Sequence, residues 1–267
     1  MEYFYRFGME ENPFLKSSNE ILFESDEFKE VQKRLEYLQL TKGFGVLTGG
    51  AGKGKTTAIR VWSKKLNPSL YKIVYSSLST LTVNEFYRNL ASGLGLIPHC
   101  RKPENFKMIQ DEILRYSIEK RITPVIIIDE ANHIGNGILN DLKILFNFDM
   151  DSKDRAIILM AGLPQLNNTL NLNIHEPLRQ RITMNYNMEG LSKEESKLYI
   201  QKKLQGVHCS QNVFDENSLE ALANAANGIP RLLNKLANSC LLIANSKNQD
   251  SVDCETVIQA VNDNVLG

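Results

Sequence analysis

The sequence predicts an α/β fold in which a parallel sheet flanked by helices, residues 1–190, precedes a small all-helical domain, residues 191–267. Three observations lead there. Gly49–Thr56 match G-x-x-x-x-G-K-[ST] between an apolar run and a helical pattern. Apolar runs then alternate with helical periodicity as far as residue 161, as parallel strands covered on both faces do. From Leu191 onward the pattern is helical throughout.

Composition narrows the class. At 267 residues the chain suits one large domain, or a larger and a smaller one, and is long enough to bury a core. Lys plus Arg equal Asp plus Glu at 31 each, so no global field draws the chain to nucleic acid. A DNA contact has to come from a local patch or from several copies in a row. The four cysteines, Cys100, Cys209, Cys240 and Cys254, are widely spaced with no C-x-x-C pair, and read as reduced thiols. With no signal peptide and no apolar stretch of membrane-spanning length, the expectation is a soluble cytoplasmic protein with no membrane partner.

The elements follow in order. Tyr3, Phe4, Tyr5, Phe7 and Phe14 form an aromatic cluster too short to make its own core, suited either to a lid beside a bound base or to plain packing. Ser25-Asp26 opens a helix to about Leu40, with Phe28, Val31, Leu35 and Leu38 on one face. Phe44–Leu47 is a buried strand, and Thr57–Leu66 a helix. After Asn67-Pro68 come a strand over Tyr71–Leu78 and two helices, near 82–94 and 104–120. Pro124–Glu130 is an apolar strand ending in two carboxylates. Asn136–Asp149 reads as a helix, Ala156–Ala161 as a strand, and the helical domain as 192–206, 215–227, 230–246 and 253–265, with Ser192, Asp215 and Asp253 as N-caps.

The chemistry sits at two strand ends. Gly49, Gly50, Ala51, Gly52, Lys53, Gly54, Lys55, Thr56 and Thr57 make a loop whose glycines allow successive N–H groups to face phosphate oxygens at a helix N-terminus. Lys55 is placed to reach the β- and γ-phosphates, and the Thr56 hydroxyl to ligate Mg²⁺. Lys53 adds a second cation, expected to face solvent. Asp129 and Glu130 emerge where ligands bind in open α/β sheets. Asp129 is placed to hold Mg²⁺ and Glu130, on the other side of the strand, to polarise the attacking water. The expected cofactors are ATP and Mg²⁺. Arg179 and Arg181 lie near the end of the sheet domain and suit a neighbour's active site or a solvated charge pair. Arg231 stands on the first turn of a helix after Gly228-Ile-Pro.

Together these residues resemble an AAA+ ATPase. More narrowly, Tyr5–Phe14, Thr48–Thr57, Leu145–Met150, Ala161–Leu166 and Arg179–Ile182 are similar to the ExeA-type group, which includes transposase-associated helper ATPases related to TnsC and IstB. The resemblance runs over essentially the whole chain. It implies a P-loop AAA+ domain followed by a helical lid, an arginine finger acting across a subunit interface from Arg179 or Arg181, and a sensor-2 role for Arg231 at the γ-phosphate. The family often has a polar residue after the glycine of the sensor-1 strand; Leu163 stands there, with Gln165 as the nearest substitute. The extra helix between the second and third strands resembles the insertion of the initiator clade, which lines DNA, and Arg88, Lys102, Lys107 and Arg115 lie in or near it.

The resemblance thus implies an ATP-dependent DNA-binding regulator of transposition. Its implied partners are double-stranded DNA, a transposase and further copies of itself in a ring, spiral or filament. Two other classes compete. One is an ExeA-like secretion or cell-envelope ATPase, whose membrane helix and wall-binding module are not found in these 267 residues. The other is a slowly hydrolysing signalling switch, which Leu163 keeps open.

Overall fold

The computed structural model describes residues 3–16, 21–77, 80–209 and 211–264, with the side chain of Asp151 excepted. The chain divides into two compact units: residues 28–50 with 55–188, and residues 1–27, 51–54 and 189–267.

The first unit is the sheet. Helix α1 (Asp26–Thr41) enters it at Phe28 and turns Phe28, Val31, Leu35 and Leu38 inward, the predicted face. Strands β1 (Gly43–Gly49), β2 (Tyr71–Ser76), β3 (Thr123–Ile128), β4 (Ile157–Gly162) and β5 (Ile182–Met188) pair in the order β2-β3-β4-β1-β5. All pairings are parallel. Between the strands run α2 (Lys55–Lys65), α3 (Val83–Gly93), α4 (Lys102–Leu114), α5 (Asn136–Leu145), α6 (Gln165–Leu170) and α7 (Glu176–Arg179). The central strands β1, β3 and β4 are almost wholly buried, which is why they read as continuous apolar runs. Phe44, Ile126, Ile158, Tyr87, Ile109 and Leu142 lie at the centre of this core.

Several boundaries differ from the sequence reading. Strand β2 ends at Ser76, and Leu78, placed in that strand by its apolar character, lies outside the described residues. The single helix expected over 104–120 is α4 followed by a π-turn, Arg115–Glu119, after which Arg121 turns left-handed (φ 56°). Helix α5 stops at Leu145 rather than Asp149, because Phe146 and Phe148 both leave the helix path to enter the core. Strand β5 was not foreseen. Its burial alternates, half-buried Ile182 and buried Met184 and Met188 against exposed Thr183 and Asn185, as an edge strand requires and an apolar-run search overlooks.

The second unit is helical: α8 (Lys193–Gln205), α9 (Glu216–Ala226), α10 (Pro230–Ser246) and α11 (Cys254–Asn264). Ser192 and Glu195 form a capping box, Asp215 accepts the Ser218 N–H at 2.6 Å, and Asp253 accepts the Thr256 N–H at 2.8 Å. The last of these bonds holds the Asp253 carboxyl below its ordinary range. The aromatic N-terminal segment belongs to this unit as packing. Phe7, Met9 and Phe14 are buried with Tyr199, Phe214 and Leu233. Tyr3 and Asn12 both bond the Asn238 side chain, at 2.6 and 2.7 Å.

Candidate functional site

In the sheet unit, β1 delivers Gly49 and Gly50, and the first turn of α2 presents Lys55 and Thr56. Glycine at 49 has a steric cause: a Cβ there would stand 2.8 Å from the carbonyl oxygen of Met188 on the paired strand. The Lys55 side chain is buried, and its Nζ donates to the carbonyls of Gly49 at 2.7 Å and Gly50 at 3.0 Å. This curls the ammonium over the start of the loop, where an anion would take the place of weaker neutral acceptors.

The β3 end supplies the second half. Asp129 is buried, and its N–H continues the ladder past the strand to the Ser76 carbonyl at 2.9 Å. Its Oδ2 accepts from Thr56 Oγ1 at 3.1 Å and from Tyr75 Oη at 2.9 Å, while Oδ1 accepts the Glu130 N–H at 3.0 Å. Burial first, then the bond to Asp129 and the charges of Asp129 and Glu130, push the Tyr75 phenol up to about 12. Glu130 is exposed and left-handed, φ 53° and ψ 35°. A non-glycine residue held there stores backbone strain, a common condition at reacting groups.

Beside β4, the Asn132 Oδ1 accepts the Leu163 N–H at 2.8 Å. Asn167 on α6 donates to Thr48 Oγ1 at 3.0 Å, and Thr48 donates to Asn187 Oδ1 at 3.1 Å. Gln165 is exposed on α6. Tyr75, Asn132 and Asn167 were not picked out from the sequence. The register of β2 against β3 places Tyr75, the turn after Glu130 places Asn132, and helix α6 after β4 places Asn167.

Arg179 and Arg181 both bond backbone carbonyls of their own chain, Arg181 at the shorter distances. Arg181 donates to the carbonyls of Lys143 at 2.8 Å and Phe146 at 2.9 Å, closing the C-terminal turn of α5, and lies 5.3 Å from the Phe44 ring centroid. Arg179 is half-buried and donates to Asn171 O at 3.1 Å and, more weakly, to Leu170 O at 3.4 Å. Of the four basic residues suggested for DNA, Lys102 is paired with Asp141 at 2.6 Å and Arg115 with Glu112 at 2.6 Å. Lys107 and Arg88 are exposed.

In the helical unit, the loop tip Ala51–Gly54 lies with Arg231, whose backbone N–H donates to the Gly52 carbonyl at 3.4 Å. Gly52 and Gly54 are left-handed, at φ 75° and 101°. Lys53 is half-buried rather than free in solvent; a Cβ on Gly190 would meet its Cδ at 3.7 Å. A polar cavity of about 410 Å³ is lined by Glu27, Glu189, Ser192, Glu195, Asn224 and Asn227 among others. Among the described residues no cluster of three or more His, Cys, Asp or Glu could hold a metal, and no helix is long and apolar enough to cross a membrane.

This donor set fits ATP with Mg²⁺: a buried ammonium, and a hydroxyl that already donates to a carboxylate. Fold and site together define an AAA+ P-loop ATPase, and residues 38–170 match the AAA domain family. More narrowly, the chain is similar to general secretion pathway protein A and to the phage target DNA activators B. It is 31% identical over 259 residues to general secretion pathway protein A of Aeromonas hydrophila, covering 92% of this chain and 45% of that one. It is 28% identical over 139 residues to the ATP-dependent target DNA activator B of Escherichia phage D108, covering 52% of this chain and 41% of that one. The chain thus spans less than half the length of these relatives. Cdc6p from Pyrobaculum aerophilum shares the fold at TM-score 0.71 and 14% identity, over 96% of this chain and 71% of that one.

Proposed function

We propose that the protein is an ATP-dependent DNA-binding regulator of transposition, which assembles on duplex DNA, engages a transposase, and is dismantled by hydrolysis. The observation that carries the reading is the similarity to a target DNA activator, joined to a strand-end arrangement of Thr56, Asp129 and Glu130 that suits ATP turnover. Lys55 and the loop N–H groups neutralise phosphate charge. Thr56 and Asp129 would hold Mg²⁺, which would supply charge neutralisation for the phosphates. Glu130 accepts a proton from the attacking water, and Arg231, on the loop-tip side, steadies the γ-phosphate.

Arg179 is the better candidate for the finger in trans, since its bonds within its own chain, at 3.1 and 3.4 Å, are longer than those of Arg181, at 2.8 and 2.9 Å. Lys107 and Arg88, both exposed in or near the inserted helical segment, meet DNA phosphates. With no excess of positive charge, affinity comes from many weak contacts summed along an assembly.

The test is anisotropy of a labelled random duplex titrated with protein in ATP, ADP or a non-hydrolysable analogue, at two salt concentrations. Cooperative binding that requires a triphosphate and weakens steeply with salt supports the reading. Absence of binding at low salt in any nucleotide rejects DNA as the partner. The 31% identity with general secretion pathway protein A favours a second reading, an ATPase serving secretion, and that result would move the assignment there.

A further inference from the structure

Tyr75 belongs to none of the motifs. It lies on the edge strand β2, where its partner in the β3 register is Ile127, two residues before Asp129. Alternation along a strand puts the side chains of Tyr75, Ile127 and Asp129 on one face. The phenol reaches Asp129 Oδ2 at 2.9 Å, the same oxygen that takes Thr56 Oγ1 at 3.1 Å, and the Glu130 N–H takes Oδ1 at 3.0 Å. Three donors from three elements therefore hold one buried carboxylate. The Tyr75 side chain is half in solvent, at 52% exposure, so core packing does not account for the tyrosine.

We infer that Tyr75 is a positioning residue for the Mg²⁺ site, fixing the Asp129 carboxylate so that it meets the ion without reorganising. The inference rests on the nucleotide reading above. Partners that bond a metal-holding carboxylate from outside set its rotamer and its donor strength, and their loss typically costs about 10–100-fold in metal affinity. A surface tyrosine with no such task would point its hydroxyl to water. This one donates its O–H to a carboxylate that already has a hydroxyl donor.

Tyr75→Phe removes the donor and keeps the ring. The full chain is titrated with a fluorescent ATP analogue, first in EDTA and then at rising Mg²⁺. The expected result is unchanged affinity in EDTA and a half-saturating Mg²⁺ concentration raised about tenfold. A midpoint equal to that of the parent protein overturns the inference. So does a loss of equal size with and without Mg²⁺, which would mark a structural role. No nucleotide binding by the parent protein in either condition would instead overturn the nucleotide reading, and this inference with it.

Discussion

Thr56 Oγ1 on the first turn of α2 lies 3.1 Å from Asp129 Oδ2 at the end of β3, joining the loop after one strand to the tip of another. The two strands are not neighbours: β4 separates β1 from β3 in the sheet. The open α/β topology brings both ends to the same edge, where one hydroxyl and one carboxylate can share a divalent ion.

Lys55 makes its two bonds to the loop's own carbonyls from a buried position. Its ammonium is therefore already desolvated and aimed at the anion site. Lys55→Ala is expected to lower ATP affinity by about 100-fold or more, the size of one or two charge-assisted bonds. Isothermal titration measures it; affinity within a few-fold of the parent protein would remove Lys55 from that task.

The two arginines should separate by stability. Arg181→Ala leaves the Lys143 and Phe146 carbonyls without their donor and is expected to destabilise the fold by about 2 kcal/mol, seen as a lower Tm. Arg179→Ala, which loses longer bonds, should lower Tm less than Arg181→Ala while reducing ATP turnover. Mixing it with subunits that carry Arg179 and the Lys55→Ala change should restore part of that turnover. If mixing restores nothing, Arg179 does not act in trans.

His175 is buried 1% exposed just before α7, with Nε2–H on Asn136 Oδ1 at 2.9 Å and Nδ1 buried without a hydrogen-bond partner. Burial lowers its pKa from the ordinary histidine value. A folded-state value below the unfolded one means that the unfolded chain binds the proton more readily. The contribution to stability is full above the unfolded value of about 6.5 and is lost as pH falls below it. Thermal melting from pH 7.5 to 5 should show this loss, and His175→Gln should flatten it. An unchanged slope in the variant would assign the acid sensitivity to other groups.

Legibility from sequence followed burial. Strands β1, β3 and β4 announced themselves as apolar runs because both of their faces are covered, and the loop was fixed by residue types that only a phosphate site needs together. Strand β5 hid because a half-exposed edge strand alternates, and its Asn185 and Asn187 look like loop residues. Tyr75 hid for a related reason. Nothing within β2 states which residue of β3 it faces, so its bond to Asp129 exists only once the register is known. The arginines were both visible, but their tasks depend on where the ends of α5 and α6 fall.

Glu130 offers the most direct measurement. It is exposed, left-handed and bonded through its N–H to Asp129, and its proposed role is to take the proton of the attacking water. Glu130→Gln should bind ATP as the parent protein does while hydrolysing it about 10²–10⁴-fold more slowly. The decisive readout is the lifetime of assemblies on duplex DNA, followed by light scattering after excess unlabelled duplex is added. If hydrolysis times the assembly, the Glu130→Gln assemblies persist far longer than those of the parent protein in ATP. Equal lifetimes alongside slowed hydrolysis would contradict the idea that ATP turnover takes the assembly apart.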